Sequence, residues 1–137
     1  MDVEPRSTEE LVAGWWLFGR LRSGTREDRK RLEAGEPIAA QAGFDGVDSR
    51  IEAGGIAAID LILALLEAAD QDGDVELVAA GPLDDLLALH AATLAPHLVQ
   101  ALRQNPILAR AMLSVWTDAD EFDAATASAL RPWLKRR

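Results

Sequence analysis

Asp70, Asp72 and Asp74 alternate along DQDGD, and carboxylates at that spacing are the residue types of a calcium loop. A helix-loop-helix calcium site, however, needs glycine at the sixth loop position and a bidentate glutamate at the twelfth. Val75 and Gly81 occupy those positions, so the segment reads as an acidic turn between helices. A second group follows a Gly81-Pro82 pair: Asp84, Asp85 and His90 could serve as metal ligands or as an acid/base pair. On one helix Asp84 and His90 would point about 120° apart. His97 falls on a different predicted helix, and no HExxH spacing is present. The expectation is therefore no catalytic residue, no metal and no cofactor. If the chain does bind a small ligand, Asp84, Asp85 and His90 are the candidate site.

Other chemistries are excluded more simply. The absence of cysteine removes disulfides, thiolate metal sites and cysteine nucleophiles. There is no phosphate-cradling glycine loop, nucleophile elbow or dinucleotide fingerprint. Basic residues concentrate in RLRSGTREDRKR (20 to 31) and in the Lys135-Arg136-Arg137 tail, without aromatics suited to base stacking, so no nucleic-acid partner is expected.

Charge placement is the most informative feature. The formal net charge is −9. Between Arg50 and Arg103 there is no Lys or Arg, whereas Glu52, Asp60, Glu67, Asp70, Asp72, Asp74, Glu76, Asp84 and Asp85 supply nine acids. The remaining acids and bases cancel, so the whole excess lies in this stretch. Such a field repels nucleic acid and steers basic partners, or serves only to keep the protein soluble.

The elements that position these residues read as helices. Ser7 and Glu10 have the form of a capping box, predicting a helix over 8–22 with Leu11, Trp15, Phe18 and Leu21 on one stripe. Adjacent Trp15 and Trp16 cannot point the same way, which puts one of them at the edge of the core. Residues 23 to 37 read as a loop plus a short exposed helix ended by Gly35 and Pro37. Phe44, Val47 and Ile51 share a face, ahead of Gly54-Gly55. The segment from Ile56 to Ala69 is apolar nearly all round, which marks a central core helix. Asp60 and Glu67 interrupt it, and it is shorter than the roughly 20 residues of a membrane span, so no membrane is expected.

Downstream, Gly73 is expected to turn left-handed, and a short helix is expected to stop at Gly81. Pro82 then starts the next, placing Asp84 and Asp85 at the positive end of its dipole. Thr93 and Asn105 are expected to cap two further helices, the second running from Pro106 to Trp116, and Asp118 or Asp120 a last one. No segment alternates as a strand would. The prediction is an all-α single domain over 1–137, of about six to seven short helices, either in helical-repeat-like antiparallel pairs or in an irregular bundle.

LILALLEAA, LVAAGPLDDLLALH and LVQALRQNPILARAMLSVW together resemble an uncharacterised bacterial domain family. Its members carry an alanine- and leucine-rich helix, a Gly-Pro-Leu-Glu/Asp-Asp-Leu-Leu segment and a helix pair ending in tryptophan. The resemblance covers about residues 44–117, with Gly81, Pro82, Leu83, Asp84, Asp85, Leu86 and Leu87 carrying the motif and Asn105-Pro106 and Trp116 in the closing pair. Asp84 stands where the family usually has glutamate, and Ala91 where it usually has glycine. The resemblance implies fold and boundaries, with no assigned activity.

The functional expectation is a non-enzymatic, cytoplasmic domain that presents Asp70, Asp72, Asp74, Glu76, Asp84 and Asp85 to a basic protein. Immunity proteins and antitoxins that neutralise basic toxins are the analogy. The alternative is an enzyme or small-ligand domain with its pocket at the Gly81-Pro82 junction. A third is an assembly module that dimerises through the aromatic stripe of residues 15 to 18.

Overall fold

Ser7 starts a helix as its sequence context predicts: its Oγ accepts a hydrogen bond from the Glu10 amide at 3.2 Å. The computed structural model describes residues 7–23, 30 and 37–134. All elements among them are helical, with no strand, so the class is all-α. The exposed helix expected after Thr25 lies outside the described residues, Lys30 apart, and so does the basic tail. The chain divides into two compact units, 1–49 and 50–137.

In the first unit, α1 (Thr8–Ser23) meets the first part of α2 (Pro37–Ala53). Pro37 is the first residue of α2, a helical position with no amide bond to lose, and the helix expected to end before it lies, Lys30 apart, outside the described residues. Trp15 stacks parallel to Phe44 with ring centroids 6.3 Å apart, and Phe18 tilts against the same ring at 4.9 Å. Both tryptophans are buried, correcting the expectation that one would sit at the edge. Trp16 turns edge-on to Trp15 at 4.7 Å, so the two side chains leave the helix in different directions yet share one aromatic cluster. Within the stripe Trp15 and Trp16 are buried, and Leu17 and Phe18 are half-buried. Close approach of the helices depends on glycine: a Cβ on Gly43 would come within 2.7 Å of Gly14 Cα.

The second unit is built around α3 (Gly55–Glu67) and a 31-residue helix, Asp74–Gln104. Ala58, Ile59, Leu61, Ile62, Leu65 and Leu66 of α3 are buried, while Asp60 and Glu67 emerge on the exposed side. Gly73, at φ +89°, closes the turn into the long helix in the left-handed conformation its sequence predicts.

The helix stop expected at Gly81 does not occur. Residues Asp74–Val78 (α4) run into a π-helical turn, Ala79–Leu83, and then without a break into α5 (Asp84–Gln104). In an α-helix the ring of Pro82 would clash with the carbonyl four residues back. The wider turn relieves this by adding a residue: the Asp84 amide reaches back five residues to the Ala79 carbonyl. Thr93 likewise caps nothing, because α5 continues through Pro96. Pro96, Ala92 and Thr93 are all exposed, so water can satisfy the carbonyl that Pro96 leaves without a donor. By length and composition alone the 31-residue helix could cross a membrane. Its apolar face forms core, with Leu83, Leu86, Leu87, Leu94, Leu98 and Leu102 buried.

The chain then turns through Asn105 into α6 (Pro106–Met112), a 3-10 turn (Ala119–Glu121) and α7 (Ala124–Leu130). Asn105 is the N-cap and Pro106 the first residue of α6, as expected, with the Asn105 carbonyl accepting from the Leu108 amide at 3.0 Å. The Asn105 side chain, however, makes no forward cap bond and donates back to the Ala101 carbonyl at 2.8 Å. Asp118 forms a reciprocal capping box with Glu121, and Asp123 caps α7 by accepting from the Thr126 amide at 2.8 Å.

Candidate functional site

The sequence singles out Asp84, Asp85 and His90, and the structure gives the first and last of them definite partners. Because the helix is continuous, Asp84 does not face a free helix start, which corrects the dipole argument. Its Oδ1 instead accepts three hydrogen bonds from a segment more than 30 residues away: the Trp116 amide at 3.0 Å, the Thr117 amide at 2.8 Å and the Thr117 hydroxyl at 2.7 Å. This explains why α6 ends at Met112 and not, as expected, at Trp116. Residues 115–118 form a non-helical strap, of which the Trp116 and Thr117 amides are held by the Asp84 carboxylate.

Asp85, the next residue, is exposed. Partial desolvation, and then the adjacent Asp84 charge, raise its carboxyl above the ordinary carboxylate value.

His90 is half-buried and points elsewhere, with Nε2 2.7 Å from the Glu52 carbonyl in the last turn of α2. That carbonyl is an acceptor, so the ring carries its proton on Nε2 and satisfies an oxygen that the helix end leaves open. Opposite the ring lies Gly54, at φ +76° and ψ −152°, a backbone conformation essentially confined to glycine. A Cβ there would sit 2.9 Å from the imidazole. Histidine and glycine together form the joint between α2 and α3. His97, also on α5, is exposed.

The acidic turn is similarly explained in part. Asp74 is buried, and its Oδ2 accepts from the amides of Asp70 and Gln71, both at 3.0 Å, closing the turn that the sequence likened to a metal loop. Asp70 and Asp72 are exposed. Glu76 lies 3.7 Å from Arg110 of α6 in an exposed ion pair, an interaction of little energetic weight. Among the described residues no three His, Asp or Glu side chains are placed to share an ion.

Of the six acids proposed as an interaction surface, then, Asp74 and Asp84 serve the fold, Glu76 has a cationic neighbour, and Asp70, Asp72 and Asp85 are exposed. Sequence reasoning missed Thr117, the partner of Asp84, and the exposure of Trp116, whose residue is 73% accessible. An apolar residue at the end of an amphipathic helix gives no signal that the helix will stop short of it.

No curated protein and no solved structure matches the chain. A family model matches residues 44–126, a stretch that includes the α2–α3 joint, the π turn, the strap and the cap of α7. The chain belongs to the family of unknown function DUF6869.

Proposed function

We propose that the protein is a non-enzymatic interaction domain whose acidic middle binds a basic protein, in the manner of the immunity proteins and antitoxins that neutralise basic toxins. The observation that carries this reading is the run of nine acids without a base between Arg50 and Arg103, of which Glu52, Asp60, Glu67, Asp70, Asp72, Glu76 and Asp85 are exposed. Most of the charge is thus available to solvent. A field of one sign accelerates encounter with an oppositely charged partner and disfavours acidic competitors.

The structure determines which acids make a clean test. Reversing Asp74 or Asp84 would break turn and strap hydrogen bonds and confuse unfolding with lost binding. Glu67→Lys, Asp72→Lys and Asp85→Lys act on exposed positions. Combined, they should slow association with the basic partner by about tenfold or more while leaving the helical circular dichroism spectrum unchanged. An association rate equal to that of the unaltered chain would remove the proposal.

A further inference from the structure

A large aromatic side chain at 73% exposure is unusual, and Trp116 is the most exposed of the large apolar residues described. Its backbone is well anchored, because its own amide and both donors of the next residue are bound to Asp84. Leu113, 52% exposed, precedes it at the end of α6. The setting is one-signed: from Arg110 to Arg131 there is no intervening Lys or Arg, and Asp118, Asp120, Glu121 and Asp123 supply four acids. Asp120, Glu121 and Asp123 are exposed.

We infer that the Asp84-anchored strap is a docking point, on which Trp116 receives a Lys- or Arg-bearing segment of a partner protein. This rests on the reading of the protein as a binder of a basic partner and locates the contact. Three properties select that occupant. The indole face attracts a cation directly, through its ring quadrupole. The four carboxylates that follow it in the chain, Asp118, Asp120, Glu121 and Asp123, complement the same charge and would repel the same acidic segment of a second copy. Backbone anchoring means that little main-chain freedom remains to be lost on binding, and a tryptophan held in this way is the residue type that dominates interface energetics.

The test places a photoreactive benzoylphenylalanine at Leu113 of the full chain in its native host, with the cross-linked peptide then sequenced. The expected result is an adduct to a Lys/Arg-rich segment of another protein. Its yield should fall about tenfold or more in a Trp116→Ala background and be largely kept in Trp116→Phe. An adduct to a second copy or to the chain's own basic tail, an adduct indifferent to Trp116→Ala, or no adduct overturns the inference. A parallel probe at Asp72 separates the two levels of the argument. If Asp72 captures a basic protein and Leu113 does not, only the role of Trp116 fails; if neither does, the binding proposal fails with it.

Discussion

Asp84 and Thr117 are joined by two hydrogen bonds, at 2.8 Å from the amide and 2.7 Å from the hydroxyl, across 33 residues of chain. The pair converts a position that looks like a charge at a helix start into a tie between the long helix and the strap after α6. Asp84→Ala should destabilise the second unit by roughly 2 kcal/mol, the scale of hydrogen bonds to a charged acceptor. Thr117→Val should cost less, since its amide remains. Urea unfolding of both single variants and the double should show coupling; additive effects would mean that the hydroxyl–carboxylate bond contributes nothing.

Gly54 should tolerate no side chain. Alanine there meets both a glycine-only backbone conformation and the His90 ring, and roughly 3 kcal/mol of stability should be lost. His90→Ala in the same chain should recover only the steric part, because the positive φ remains. Thermal unfolding of the three variants checks this. Full recovery in the double variant would show that the clash alone matters.

Asp123 should lend the fold a dependence on acid pH. Hydrogen bonds from the Thr126 amide, and then from its hydroxyl, hold its carboxyl below the ordinary value of 3.8. A group depressed in the folded state stabilises it above the unfolded value, and the gain disappears as pH falls through the folded one. Asp123→Asn should therefore unfold more readily than the unaltered chain at neutral pH, with the difference shrinking below about pH 4. A difference that is constant with pH would contradict this origin.

Asp85 has the opposite sign. Its raised carboxyl means that the folded state disfavours the ionised form, so stability is lost as pH rises from the unfolded value to the folded one. Asp85→Asn should leave the melting temperature at neutral pH unchanged or slightly higher. A clear decrease would show that the carboxylate makes a favourable contact.

Much of the fold is legible from local pattern. The apolar run of α3, the left-handed Gly73 and the buried face of Leu83, Leu86 and Leu87 all follow from periodicity and turn chemistry. Where the sequence misleads, the cause is specific. Gly81-Pro82 has the form of a stop followed by a start, yet one extra residue in a π turn lets the helix pass the proline. Asn105 is the forward cap its position suggests, but only through its backbone: its side chain bonds backward to Ala101. The roles of Asp84 and His90 depend on Thr117 and Glu52, partners 33 and 38 residues distant, which no local spacing reveals. The acidic bias needed only counting, whereas its division between solvent-facing and structural carboxylates required the structure.

The central claim is that exposed carboxylates recruit a basic protein. It is tested most directly by retrieving the tagged chain from its native host at low salt and eluting with a salt gradient, with a Glu67→Lys, Asp72→Lys, Asp85→Lys chain run in parallel. The account predicts a stoichiometric basic partner that leaves as screening shortens the reach of the field, and that the charge-reversed chain fails to retain. A partner that stays bound at high salt or binds both chains equally, or no stoichiometric partner at all, would contradict it.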